Sequence, residues 1–344
     1  MSDDGRLLGG VADRLVVAYG IRPARITQIA AGTATANFLV TEESGGRWFA
    51  KVYRDGGGLE RERAAVELAE FARAGGLPVP GVRRTCAGEL VAENGSPAMS
   101  VWEYVADAET AEGGLTGERW RAVGAVLGRL HRRLASHPAA APARIDARGV
   151  RDVERSRDLL DRLISEYGRR SGLSSFELFA LEAAREKRSM LDRVGGILGR
   201  LPELTQQIVH GDLASPNLLL RGDEVAAVID FQPPTSRFVS WEIARIGCDP
   251  RTIVLGDQWM TGLPELLVAY REEHPAARPD DLVATVAVGC AYTLASTYPL
   301  AEPLHNPDAV DPSLEAYGRA RHQAALLMLD RLDEIEAVLR DHLS

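Results

Sequence analysis

His210-Gly211-Asp212, Asn217 and Ile229-Asp230-Phe231 bracket a stretch that reads as apolar strand, turn, apolar strand, and no other feature constrains this chain as much. Leu218 to Leu220 is apolar, Arg221-Gly222-Asp223-Glu224 has turn composition, and Val225 to Ile229 is apolar again. An antiparallel hairpin brings its open ends together, so Asn217 and Asp230 should lie side by side, with Asp212 on the loop that feeds in. Asp212 is then a candidate proton acceptor, and Asn217 and Asp230 are two hard oxygen ligands. Mg takes such ligands in ones and twos beside substrate phosphates. Phosphoryl transfer asks for an aspartate at the acceptor hydroxyl and for little covalent chemistry from the protein. Each residue alone would pass as a turn or cap residue; the ordered set does not.

The N-terminal third holds candidates for the rest of such a site. The chain has two lysines, Lys51 and Lys187, among 40 basic residues, so a lysine inside an apolar strand needs a reason. Lys51 sits in one, Trp48 to Tyr53, and a compact ammonium on a flexible stem suits nucleotide phosphates. Lys187 reads as a residue of a surface helix. Upstream, the small side chains of Gly32-Thr33-Ala34-Thr35-Ala36 would let backbone N–H groups approach phosphate oxygens. Downstream, Leu59 to Ala74 reads as a helix closed by Gly75-Gly76. Ala65, Val66 and Ala69 place Glu62 on its inward face, where it would pair with Lys51; Glu60 and Glu67 are the alternatives. Strands are expected at Val82 to Thr85, Glu89 to Ala92 and Ala98 to Trp102.

The His-Gly-Asp form, the Asn five residues on and the Ile-Asp-Phe beyond the hairpin resemble the aminoglycoside phosphotransferase superfamily, which includes choline kinases and one class of homoserine kinases. The resemblance implies an α+β, protein-kinase-like fold in two lobes. The small N-terminal lobe, 1–102, would carry an antiparallel sheet and one helix, a hinge would span 103–105, and a large, mainly helical lobe would span 106–344. It implies Asp212 as catalytic base, Asn217 and Asp230 as Mg ligands, and Lys51 as the phosphate-binding lysine. Gly32 and Thr33 correspond to the nucleotide loop, with one glycine where protein kinases have three. Backbone groups of Glu103 to Val105 would meet the adenine of ATP or GTP. The implied activity is transfer of the γ-phosphate to a hydroxyl of a small molecule: an aminoglycoside or other antibiotic, or homoserine or an amino alcohol, with a nucleotide-binding pseudokinase as the non-enzyme alternative. Nothing after Phe231 resembles a long protein-kinase activation segment. Where relatives continue Asp-Phe-Gly and later Tyr-Asp-Leu-Ala, this chain has Asp230-Phe231-Gln232-Pro233 and Trp241-Glu242-Ile243-Ala244, so Glu242 stands where an Asp with a structural role is usual.

Length, charge and cysteine content agree with this frame. A chain of 344 residues exceeds the usual single core, and two lobes can hold a nucleotide between them. Helices are expected over 120–135, where His131 takes a structural hydrogen-bonding role, and over 150–168, 176–198, 257–273, 280–296 and 313–342. Residues 231–344 carry 17 acidic against 9 basic side chains, a net of −8 within an overall −9. On the acceptor-binding floor such an excess favours a cationic acceptor; solvated helix faces account for it equally well. The acidity argues against a nucleic-acid partner. No apolar run is long enough to span a bilayer and no basic, apolar leader opens the chain, which points to the cytoplasm. Cys86, Cys248 and Cys290 are odd in number and scattered, as expected of buried small residues rather than a disulfide framework.

Overall fold

The computed structural model describes residues 3–29, 35–53, 58–95 and 97–343. Its first part contains α1 (Asp3–Tyr19), β1 (Pro23–Ile29), β2 (Thr35–Glu42), β3 (Arg47–Tyr53), α2 (Leu59–Ala74), β4 (Val82–Arg83) and β5 (Ala98–Glu103). The strands form one antiparallel sheet in the order β1-β2-β3-β5-β4. Ala36, Phe38 and Val40 on β2, Ala50 and Val52 on β3, and Met99 and Val101 on β5 alternate onto a single buried face. That face is covered by α1, not by the helix after Lys51. Val11, Leu15 and Tyr19 recur every four residues along α1 and are buried, and the Tyr19 hydroxyl donates to the Met99 carbonyl at 2.7 Å. Two helices therefore accompany the sheet where one was expected. The expected strand over Glu89 to Ala92 reduces to an isolated bridge between Ala92 and Met99. In the turn beside it Cys86 is exposed, unlike the buried Cys248 and Cys290.

The second part is larger and mainly helical. It runs through β6 (Glu109–Thr110), α3 (Arg119–Leu134), β7 (Ala143–Ile145), α4 (Val153–Gly168), α5 (Ser175–Arg200), β8 (Leu204–Ile208), β9 (Leu218–Arg221), β10 (Glu224–Val228) and β11 (Ser236–Phe238). It continues with α6 (Val239–Gly247), α7 (Pro250–Ile253), α8 (Trp259–Glu273), α9 (Pro279–Val283), α10 (Thr285–Leu294), α11 (Glu302–His305), α12 (Pro312–Asp330) and α13 (Leu332–Leu343). The helix expected over 280–296 is two, broken at Ala284, and that over 313–342 is two, broken at Arg331. Its core includes Leu68, Ala69 and Ala72 of α2, so this helix packs on both parts.

Helices α3 and α8 meet at backbone distance. A Cβ added at Gly124 would lie 2.0 Å from the Leu266 carbonyl oxygen, and one at Gly128 would lie 2.3 Å from that of Tyr270. No side chain larger than hydrogen fits either position. Lys187 of α5, expected on a surface helix, is 1% exposed. Its ammonium donates to the carbonyls of Thr293 and Ser296, each at 3.0 Å. Among the described residues, no helix is long and apolar enough to cross a membrane.

Candidate active site

The hairpin forms as its composition requires. β9 and β10 pair antiparallel with Leu218 opposite Val228, and the Ile229 N–H donates to the Asn217 carbonyl at 3.0 Å, so the two open ends adjoin. On one side β9 pairs with β6; on the other the Val228 N–H donates to the Pro78 carbonyl at 2.8 Å. The Asn217 amide nitrogen donates to the Asp212 carbonyl at 2.8 Å and to its carboxylate at 3.3 Å. Both bonds use the nitrogen, which leaves Oδ1 as the atom that can serve a cation. Asp230, at the far end, has φ +66°, a left-handed conformation that aspartate tolerates better than most side chains. Its carboxylate is 41% exposed and forms an ion pair with Lys51 of β3, 179 positions earlier in the chain.

The His-Gly-Asp loop is fixed from beneath by a buried carboxylate. Glu242, on α6, is fully buried and accepts from the backbone N–H of His210 at 2.8 Å and of Gly211 at 2.7 Å. The His131 ring on α3 adds a third contact through Nε2 at 3.0 Å, while its Nδ1 meets the Tyr270 hydroxyl of α8 at 2.8 Å. Burial alone would push the Glu242 carboxyl up. The bond to His131, the charges of His131 and His210 and the Gly211 N–H outweigh it and hold the carboxyl below its ordinary range. Gly211 is dictated twice: its φ is +90°, and a Cβ there would lie 2.7 Å from that of Gln232. His210 closes the loop, with Nε2 against the Ile229 carbonyl at 2.9 Å and its own carbonyl accepting from the Gln232 N–H at 2.9 Å. Burial lowers the His210 pKa, with the Glu242 charge and the Ile229 carbonyl pulling the other way.

Asp212 points out of this loop and forms an ion pair with Arg245, one turn beyond Glu242 on α6. Burial raises its carboxyl pKa; the Arg245 guanidinium and the His210 ring pull the other way, and the nearby Asp230 charge adds to the rise. Arg245 was not legible as a site residue. The only signal is its place three residues after Glu242, which puts both on one face of a short helix.

Two routes of contact lead from the loop into the C-terminal helices. On one, the Arg245 guanidinium lies 5.1 Å from the Trp241 ring centre, Trp241 meets Tyr292 edge-on at 5.7 Å, and Arg151 lies 5.1 Å from the Tyr292 ring. On the other, Ser215 donates to the buried Asp249 and meets Arg251 at 3.4 Å; Arg251 lies 4.5 Å over the Tyr317 ring, and Arg321 donates to the Tyr317 hydroxyl at 3.2 Å. The acidic excess of residues 231–344 is spread over other surfaces. Glu265 and Glu272 pair with Arg121, Asp257 and Glu334 with Arg331, Glu336 with Arg340 and Asp281 with Arg144. Of the charges in contact with the loop, Glu242 and Asp249 are engaged by backbone N–H groups and by Ser215, and Arg245 and Arg251 are the cationic ones.

The remaining expected residues are placed less completely. Among the described residues no ion pair joins Lys51 to Glu62; Glu62 is half-buried and its charge is felt at the Tyr53 hydroxyl, which bonds Ser100 at 2.7 Å. Glu103 ends β5. Its N–H donates to the Gly81 carbonyl at 2.8 Å and its carboxylate accepts from the Gly81 N–H at 2.9 Å, so only its carbonyl, together with Val105, could address a base edge. Gly32 and Thr33 lie outside the described residues. Among the described residues no group of three or more His, Cys, Asp or Glu side chains could hold a metal alone. Asn217 and Asp230 suit a hard divalent cation that takes its other ligands from phosphates and water.

Comparisons with known proteins bear on the fold and the family. The fold matches a spectinomycin phosphotransferase, APH(9)-Ia, solved with ADP and spectinomycin, at a TM-score of 0.69 and 15% identity over 93% of this chain and 97% of that one. It also matches an amicoumacin kinase, hAmiN, solved with AMP-PNP, Ca2+ and amicoumacin, at a TM-score of 0.59 and 17% identity over 94% and 93%. A third match is an aminoglycoside phosphotransferase from Alicyclobacillus acidocaldarius, at a TM-score of 0.55 and 18% identity over 92% of each chain. At these identities the likeness is one of fold. No curated protein matches the sequence significantly. The family model for the phosphotransferase enzyme family, APH, matches residues 25–247, a span that runs from β1 through the hairpin to the end of α6, and the chain belongs to that family.

Proposed function

We propose that this protein transfers the γ-phosphoryl group of ATP or GTP, with Mg, to a hydroxyl of a small molecule. The observation that carries the reading is the meeting of Lys51 and Asp230 across the space between sheet and hairpin, with Asn217 and Asp212 alongside. Asp230 and the Asn217 Oδ1 would hold Mg and Lys51 would hold the phosphates, and the bound metal would offset the phosphate charge. Asp212 orients the acceptor hydroxyl and takes its proton as the oxygen bonds to the γ-phosphorus; the bond to the β-phosphate oxygen breaks and the nucleoside diphosphate leaves. Residues 1–102 and 106–344 act as the two lobes, joined at 103–105. Gly32 and Thr33 would contribute phosphate contacts, the Glu103 carbonyl and Val105 would address the base, and Glu62, which makes no ion pair with Lys51 in this structure, would have to reach it from α2 once nucleotide is bound. The spectinomycin and amicoumacin of the structural neighbours make a hydroxylated antibiotic one candidate acceptor, beside homoserine and amino alcohols.

The test is turnover with ATP and Mg against a panel of hydroxylated antibiotics, nucleosides, amino alcohols and hydroxy acids, read by mass spectrometry. Asp212→Asn should lower turnover roughly ten-thousandfold, since the base and orientation effects are each worth about a hundredfold or more, while nucleotide affinity stays close to wild type. Retained turnover would remove Asp212 from the mechanism.

A further inference from the structure

The two routes from the catalytic loop end on arginines of different standing. Arg245 is answered by Asp212, and Arg251 by Glu112 at 2.9 Å and by Asp249 at 3.9 Å. Among the described residues neither Arg151 nor Arg321 has an acidic group within ion-pair distance. Each nonetheless lies close enough to the other for their charges to repel. Arg151 is occupied in holding structure, with Nε at 3.2 Å from the Ser156 hydroxyl and a terminal nitrogen 3.0 Å from the Ala295 carbonyl. Arg321 is not: beyond its bond to Tyr317, its Nε is buried with no hydrogen-bond partner among the described residues. Buried Lys187 lies within the electrostatic reach of both arginines, and burial together with their charges pulls its pKa down to about 7.

The acids nearby do not offset this. Asp152, felt at Arg151, caps α4 by accepting from the Arg155 N–H, and Arg155 is itself felt there as a positive charge. Glu302 is felt at Tyr298, where Arg321 and Arg251 act in the opposite sense, and Glu186 is engaged by His322 at 2.8 Å. A planar guanidinium with an unpaired N–H, beside like charges and with no counter-ion, is costly unless an anion meets it. Its fork of parallel donors matches a carboxylate or a phosphate.

We propose that the phosphoryl acceptor is an anion: a small hydroxyl compound whose carboxylate or phosphate is held by Arg321, between Tyr317 and Tyr298, while its hydroxyl reaches Asp212. The proposal rests on the phosphotransferase reading of the same site, and it replaces a cationic acceptor with an acidic one. The net charge of residues 231–344 sums largely over helix faces whose acids are paired away from the loop.

The two readings can fail separately in one experiment. Mg and AMP-PNP are titrated into the full chain; then inorganic phosphate and malonate are titrated in parallel into the nucleotide-loaded protein at constant ionic strength, and binding is read by calorimetry and by the shift in melting temperature. The expected result is a saturable response to at least one anion, weakened about tenfold to a hundredfold in Arg321→Met, the range for one lost charge-assisted contact. Whichever anion binds tighter identifies the oxyanion. Arg321→Gln, which can keep the Tyr317 contact, should lose the same response and serves if the Met variant melts early. An anion response that is absent, or unchanged in both variants, would overturn the proposal. So would an acceptor from the turnover panel that is cationic and whose KM is indifferent to Arg321→Met. If AMP-PNP itself fails to bind, the phosphotransferase reading falls first.

Discussion

Replacing Glu242 tests how the catalytic loop is held. The carboxylate accepts from the N–H of His210, the N–H of Gly211 and the ring of His131, all in a fully buried setting. A buried donor left without its partner costs about 1–3 kcal/mol, so Glu242→Ala, which strands three, should lose about 3–9 kcal/mol. That is comparable to the whole stability of many domains, about 5–15 kcal/mol, and the Ala variant should scarcely fold. Glu242→Gln is the informative change: its oxygen can still accept, but its NH2 must face a donor, and about 2–4 kcal/mol should be lost. The assay is thermal melting of wild type and variant beside turnover and nucleotide affinity. The Gln protein should melt lower and turn over more slowly through a misplaced Asp212, with nucleotide affinity little changed. Because the folded carboxyl lies below its ordinary 4.5, its stabilisation is present above that pH and is lost as pH falls below it. The gap in melting temperature between wild type and Glu242→Gln should accordingly narrow below about pH 4.5. A Gln variant with wild-type melting and turnover would refute the account of the loop.

Asp230→Ala should weaken Mg-dependent nucleotide binding more than Asn217→Ala, since a full charge is lost rather than a neutral ligand; calorimetry with and without Mg decides it, and equal, Mg-independent binding by all three proteins would show these are not metal ligands. Lys51→Ala should raise the nucleotide constant and lower turnover without a large change in melting temperature. Lys187→Ala should do the reverse, lowering the melting temperature by leaving two buried carbonyls unpaired. Similar melting and kinetic behaviour of the two lysine variants would mean that one of the environments has been misassigned. Gly211→Ala should impair turnover and stability together, because its Cβ would meet Gln232 at 2.7 Å in a left-handed backbone; a silent variant would show that the loop yields more easily than its contacts suggest.

What was legible in the sequence is what a short stretch of chain decides. The hairpin, its flanking Asn217 and Asp230, and the strand around Lys51 follow from alternation and turn composition within a few residues. What was missed depends on distant parts. Arg245 meets Asp212 only because α6 crosses beneath the loop, and Arg151, just before α4, and Arg321, on α12, converge through packing of segments far apart in sequence. Lys187 misled for a local reason: its neighbours Arg185, Glu186 and Arg188 are charged, so the segment looked solvated, yet position 187 turns to the interior. The scarcity of lysine was the better signal, since in a chain that uses arginine for surface charge both lysines occupy special places. The breaks at Ala284 and Arg331 had no glycine or proline to mark them. A net charge summed over 114 residues could not report which face carried it.

The glycine contacts between α3 and α8 have a mechanical consequence for Asp212. With Gly124 and Gly128 against the backbone of α8, the two helices cannot slide or separate without exposing a surface that has no side chains to refill it. His131 projects from one of them and Tyr270 from the other, and together they seat Glu242 and the loop above it. Asp212 is thus anchored to a joint where backbone meets backbone, while Lys51 rides on a sheet that has its own core. On the proposed reading, any closing of the sheet on a nucleotide would carry Lys51 toward a stationary Asp212, so the geometry of the chemical step would be set by where the sheet stops.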